Sequence, residues 1–557
     1  MSEQSAKTGY YPGSEFEYPE TVLAENEFPQ QEHAEFGFEF AQEAWCAFES
    51  ITSHDNDAIY ASSGVLFKGA RFGRDQLKVL HDLMQSSEEV GIYKKELIEN
   101  VILFLSSKQG VQTRAINDEK PGRIFHEFRQ SIVDGEPLTG GTKVLFDKLS
   151  EQWGGDDEEV IYYGSIDATP MYVSLVAEYV EIFGEELLDR EVVDRNGQSV
   201  KVRECLQRSV DCLENDLTES RSGLLEHKTM NPESGQPNQA WKDSQEAYVH
   251  ENGEPVNHDA PVASAEVQAY TYDALIAAAK IVPDKRHKYE RMARHLQQRT
   301  LDLLWMEDKQ YFAMGLDYDE NGRERQIRTL VSNGAQLLDS NILLDLPPDQ
   351  REKYVTGISR MIFSDEFMTS AGVRCRALSL AEVTPFWDYH GTFVSWPKET
   401  MDIARGFHRH GLHQSAEQLE NRVYNISRRT GKFQEYYYID ANGRVLLELE
   451  RDPDEQNVIL VEGTNTPEGN QAWSISSVIS ILYPRTWLPS SLSWESILDA
   501  QNVNMIERFE KIDDPAKLKL LYPSYKYRVW SKNPHQSTFW IDELHAKEEI
   551  AKERVRS

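Results

Sequence analysis

Apolar residues recur along this chain with two different spacings. Between Ser264 and Ile281, the residues Ala265, Val267, Tyr270, Leu275 and Ile276 leave little polar face, and Pro283 stops the run. Beyond the proline, Tyr289, Met292, Ala293, Leu296, Leu303 and Leu304 return at three- and four-residue steps with polar residues between them. A helix that is apolar nearly all round must be buried, whereas one with a single apolar stripe covers a core from outside. The order is therefore inner helix, then outer helix. The couplet recurs at 166–189 with 200–219, and at 391–407 with 411–428. Repeated inner–outer hairpins predict a mainly α chain whose helix pairs build a toroid or a solenoid.

Four Asn-Gly pairs lie between the couplets: Asn196-Gly197, Asn252-Gly253, Asn321-Gly322 and Asn442-Gly443. Asn-Gly favours the type I′ turn, which predicts β-hairpins set into the loops. Polar and aromatic residues gather just before the inner runs, in YYGSIDATP (162–170), NQAWKDS (238–244), SNGAQLL (332–338), FWDYHGTFVSWPKE (386–399) and TPEGNQAWSIS (466–476). In a closed barrel all five converge on one mouth. Residues 1–35, with Pro12, Pro19 and Pro29 among many glutamates, read as an extended acidic arm. The helical barrel takes 36–520, and 521–557 form a C-terminal tail and charged helix.

Composition narrows the function. The chain is 39% apolar, and no stretch reaches the roughly 18 to 20 consecutive apolar residues of a membrane span, so a water-soluble protein without a membrane partner is expected. The N-terminus has neither a basic start nor an apolar core, which makes a cytoplasmic location the expectation. A formal charge of -34 repels phosphate backbones and argues against nucleic acid. The segment YPSYKYRVWSK (522–532) interleaves aromatics with cations and is read as tail packing. Cys46, Cys205, Cys212 and Cys375 lack the spacing of a zinc site and are read as buried free thiols. His408, His410 and His413 close an inner helix, where cations complement the helix dipole, so no metal is assigned to them. With no HExxH, Walker loop or GxGxxG, no cofactor is expected.

A mouth lined by Trp, Tyr, Asp, Glu, Asn and Gln suits a sugar, because aromatic rings cover C–H faces while carboxylates and amides bind hydroxyls. Cleaving a glycosidic bond requires two carboxyl groups, one protonated and one ionised. Asp243, near Trp241 and Tyr248, suits the acid if burial raises its pKa; the other reading is a helix or turn cap. For the second group Glu435 competes with Glu399, Glu266, Glu462 and Glu468.

FKGARFGRD (67–75), GRIFHEFR (122–129), YYGSIDATP, NQAWKDS followed by AEVQAY (265–270), YHGTFVSWP (389–397) and NQAWS (470–474) together resemble the amylo-α-1,6-glucosidase family of glycogen-debranching type. That family stands within a wider group of inverting glycosidases that includes processing α-glucosidases and hydrolases of glucosylglycerate or mannosylglycerate. The resemblance implies an (α/α)6 toroid of inner and outer helices, with the β-hairpins on the active-site face. It implies inverting cleavage of an α-glucosidic bond, in a short α-glucoside such as a glucosylated compatible solute or at an α-1,6 branch. Asp243 is then the general acid and Glu435 the base, with Tyr436 where the related processing glucosidases carry asparagine. Arg74, Asp75, Asp167, Trp241, Glu266, Gln268, His390, Trp396 and Trp473 become sugar contacts. Lys398 and Glu399 stand where the family has a histidine and an aspartate, a departure that bears on the substrate. Two other readings keep the fold: a non-catalytic sugar-binding toroid, and a sugar lyase or epimerase using His390 with Tyr389.

Overall fold

A computed structural model describes residues 33–64, 67, 69–385, 388–445 and 467–485, and two short strands, Lys526–Val529 and Phe539–Asp542. Most of the predicted N-terminal arm, Glu462, the barrel's end at 486–520 and most of the tail fall outside these residues. Twelve helices of the described residues alternate between two rings: α1 His33–Ser50, α2 Gly73–Gln85, α3 Lys95–Ser107, α4 Ala168–Phe183, α5 Val202–Glu219, α6 Ala265–Ile281, α7 Arg286–Leu304, α8 Asn333–Gln336, α9 Pro348–Ile362, α10 Pro397–Arg409, α11 His413–Thr430 and α12 Ala472–Leu482.

The even-numbered helices form the inner ring. Each packs on the next, α2 on α4, then α6, α8, α10 and α12, and α12 returns to α2. The odd-numbered helices pack outside them, with α5 against α4 and α6, α7 against α6, and α11 against α10 and α12. This closed double ring is the (α/α)6 toroid. Burial follows the two sequence spacings: α6 is buried on nearly every face, whereas α7 buries only Tyr289, Ala293, Leu296, Thr300, Leu301 and Leu304. The fourth inner helix is the exception, a single turn continued by a 3-10 turn at Leu337–Asp339. No described helix is long and apolar enough to cross a membrane.

All four Asn-Gly pairs turn hairpins, but none is type I′. That turn needs positive φ at both central residues, and only the glycines have it, at 72° to 82°. In each case the glycine N–H donates to the carbonyl three residues back, at Asp194, His250, Asp319 and Asp440, and that residue's own N–H donates to the residue after the glycine. These are three-residue loops with a bulged glycine. The carboxylates of Asp194 and Asp319 each accept two further amides of their turn, which stabilises the longer loop. Cys205, Cys212 and Cys375 are buried as expected, but Cys46 is exposed on the outer helix α1.

Candidate active site

The segments before the inner helices meet at one mouth. Ser62 bridges Gln471, Ile166 N–H donates to the Gln239 carbonyl at 2.7 Å, and Ala472 N–H donates to the Ala61 carbonyl at 2.8 Å. The loop 238–244 reaches across this mouth, closed on itself by Asn238 Nδ2 donating to the Ser244 carbonyl at 2.8 Å. Its side chains then divide. Trp241 and Lys242 are buried in the floor, while Asp243 is partly exposed above it. Asp243 caps no helix, since α6 begins only at Ala265 and is preceded by Ser264.

Arg74, at the start of α2, donates to Asp243 at 2.9 Å and to both oxygens of Asp167 at 3.1 and 3.3 Å. Tyr389 Oη lies 3.4 Å from the other Asp243 oxygen. Burial nevertheless raises the Asp243 pKa; Arg74 opposes the shift and Asp167 adds to it. Glu435 precedes α12 and exchanges hydrogen bonds with Glu468: Glu435 N–H donates to the Glu468 carbonyl at 2.8 Å, and Glu468 N–H donates to the Glu435 carboxylate, at Oε2, at 3.3 Å. Burial pushes Glu435 up to about 8, with Glu468, Asp75 and Asp243 adding their charges. Asp75 is pushed up to about 7, again chiefly by burial. Asp75, Asp243, Glu435 and Glu468 thus form a crowded acidic mouth.

The rival carboxylates separate by location. Glu399 is fully buried in an ion pair with Lys242, and Glu266 is fully buried with Ser264 donating to it. Neither is exposed at the mouth. Glu468 accepts from Ser62 at 3.0 Å beside Glu435, and Glu462 lies outside the described residues.

The predicted sugar contacts fall into three groups. Arg74, Asp75 and Asp167 gather around Asp243. Trp241, His390, Trp396 and Trp473 pack against one another, Trp241 edge-on to the other three at 4.8 to 5.6 Å, and only 1–4% of each is exposed. Their ring faces are therefore largely occupied by one another, and they build the floor. Trp473 Nε1 has no hydrogen-bond partner among the described residues. Gln268 spends its amide on the backbone, accepting from Leu225 N–H at 2.7 Å and donating to the Leu225 and Ser264 carbonyls at 2.9 Å. It lies with Glu266 behind the wall. Sequence reasoning missed Lys242 as the partner of Glu399, and Tyr389 as a neighbour of the acidic pair: its Oη reaches Asp243, and the charges of Asp243 and Glu435 raise its pKa after burial.

Residues 208–445 match the family model of the "Mannosylglycerate hydrolase MGH1-like glycoside hydrolase domain", fewer than half of the 557 residues but including both Asp243 and Glu435. The chain is similar to a glycosidase over that stretch. It matches no curated protein. Among solved structures it is similar to a GH63 mannosylglycerate hydrolase from Thermus thermophilus in complex with glucose, at 12% identity over 80% of this chain and 99% of that one, with a TM-score of 0.48. The same enzyme in complex with Tris gives 13% identity over 80% and 100%, with a TM-score of 0.49. A glycosidase variant in complex with glucose gives 12% over 82% and 98%, with a TM-score of 0.47.

Proposed function

We propose that this chain is an inverting glycoside hydrolase that cleaves an α-glucosidic bond, in a short α-glucoside such as a glucosylated compatible solute or at an α-1,6 branch. The family-model match adds a short α-mannoside to the candidate substrates. One observation carries the reading: two carboxyl groups, Asp243 and Glu435, open at the same mouth with their pKa values raised by burial, and they come from the loops before the third and sixth inner helices of a six-membered ring.

In this mechanism Asp243 donates its proton to the leaving oxygen as the anomeric C–O bond breaks. Glu435 takes a proton from the water that attacks the anomeric carbon on the opposite face. The products are the sugar with inverted configuration and the free alcohol. Inversion requires room for that water, a carboxyl separation of about 6.5–9.5 Å. Arg74, shared between Asp167 and Asp243, supplies a cation to balance the carboxylate that Asp243 becomes. Proton NMR on a panel of α-glucosides and α-mannosides tests the reading. A β-anomer should appear first; an α-anomer appearing first would remove Glu435 as the water-activating base.

A reversed assignment has one specific observation behind it. Arg74 at 2.9 Å favours an ionised Asp243, while burial favours a protonated Glu435. Leaving-group dependence separates the two. Replacing the acid spares substrates with good leaving groups, whereas replacing the base slows every substrate.

A further inference from the structure

Lys242, the residue before Asp243, forms an ion pair with Glu399 in which neither side chain is exposed. Lys242 Nζ donates to the two Glu399 oxygens at 3.0 and 3.1 Å and to Ser332 Oγ at 3.2 Å, so all three ammonium protons have acceptors. Glu399 also accepts from Trp241 Nε1 at 3.3 Å and from Gln336 Nε2 at 2.9 Å. It therefore grips both residues that precede Asp243, from the first turn of α10 on a different inner helix. Removing two charges from water is costly, and an apolar pair of similar size is often no less stable. Stability alone therefore does not account for this pair. Lys242 is held fully buried, and the neighbouring Asp243 is left partly exposed.

We propose that the Lys242–Glu399 pair is a positioning device that aims the Asp243 carboxyl at the leaving oxygen of the glycoside; this rests on the assignment of Asp243 as general acid given above. It gives Glu399, one of the two residues by which the chain departs from the family it resembles, a task behind the acid rather than on the sugar. Lys242 and Glu399 never touch substrate, and their effect passes through the backbone of 241–243.

Glu399→Gln keeps the shape and one acceptor oxygen but removes the charge. The test compares wild type, Glu399→Gln and Asp243→Asn on two substrate types, α-glucosyl and α-mannosyl fluorides, whose leaving group needs little protonation, and alkyl α-glycosides, which depend on it. For Glu399→Gln a misaimed acid predicts a kcat loss of about 10–100-fold on the alkyl glycosides, with KM and fluoride turnover changed less than about threefold. The basic limb of the kcat/KM profile, set by the acid in the free enzyme, should also move to lower pH as Asp243 becomes better hydrated. Equal losses on both substrate types, or no loss, would overturn the positioning role while Asp243→Asn still showed the leaving-group dependence. Wild type turning over neither type would overturn the hydrolase reading, and this inference with it. Should Glu399→Gln fail to fold, the double variant Lys242→Met with Glu399→Met removes both charges together and should show the same leaving-group-dependent loss.

Discussion

Below the floor of the barrel, Asp82 and Asp402 each lie against at least two cations, whereas at the mouth Asp75, Asp243, Glu435 and Glu468 crowd together around Arg74. Below, Lys78 pairs with Asp82, and with Asp402 at 3.1 Å; Arg405 reaches Asp82 at 2.7 Å, Asp402 at 2.8 Å and Asp339 at 2.7 Å; Lys398 closes on Asp402 at 2.9 Å. Burial alone would raise both aspartates, yet these cations hold both below the usual carboxylate range. At the mouth Glu435 and Glu468 have no ion-pair partner among the described residues, and burial raises them. The same carboxyl group is thus locked ionised in one place and kept able to exchange a proton in the other. The lower network borders a cavity of about 360 Å³ near the C-terminal ends of the inner helices, and its charges are spent on one another. At the mouth carboxylates outnumber their cations, which is where a proton can be traded with a substrate.

The comparison predicts opposite failures at the two ends. Asp243→Asn should reduce kcat on alkyl α-glycosides by about 10²–10⁴-fold with the melting temperature little changed, measured by steady-state kinetics and calorimetry. A variant within tenfold of wild type would leave the mouth without its acid. Arg405→Met should do the reverse. It takes one cation from each of three buried carboxylates, leaving Asp82 to Lys78, Asp402 to Lys78 and Lys398, and Asp339 to Arg409, which costs about 3 kcal/mol by denaturant unfolding. The folded fraction should keep its kcat, because Arg405 touches none of the proposed reacting groups.

Half of this division can be read in the sequence. The inner and outer couplets are legible because a helix 17 or 19 residues long repeats its apolar period often enough to reveal which faces are buried. The fourth inner helix is not, because one turn at Asn333–Gln336 has no period to read. Asp243 stands out locally through Trp241 and the polar loop around it. The Lys242–Glu399 pair joins residues 157 apart, and nothing near either one names its partner. Turn type failed for a local reason: Asp194 and Asp319, placed three residues before their glycines, favour the bulged loop over the tight one. Whether a buried carboxylate is raised or lowered depends on which cations the fold brings to it, and Asp402 and Asp243 look alike until those cations are placed.

The pH dependence of activity follows from Glu435 at about 8. A base must be ionised to accept the water's proton, so kcat/KM should climb by up to about tenfold per pH unit towards that value over the range in which Asp243 keeps its proton. Under the reversed assignment the same titration would be a basic limb, with kcat/KM falling above it.

The smallest effect is on stability, and its sign is the most telling. An ordinary glutamate releases its proton near 4.5, and Glu435 holds its own to about 8 in the folded chain. Between those values the folded state carries a proton that the unfolded state has lost, so Glu435 makes folding less favourable as pH rises from 4.5 to 8. Asp402 works the other way: its pKa is depressed, and the stability it gives above the unfolded value is lost as pH falls. Glu435→Gln removes the first effect and leaves the second. It should melt close to wild type near pH 5 and above it at pH 8.5, by roughly 2–4 °C, since at most about 4 kcal/mol, roughly 1.4 kcal/mol per pH unit, is spread over the unfolding of a long chain. Equal melting at both pH values would mean that the mouth does not hold Glu435 protonated, and the contrast between the two ends would then rest on Asp75, Asp243 and Glu468.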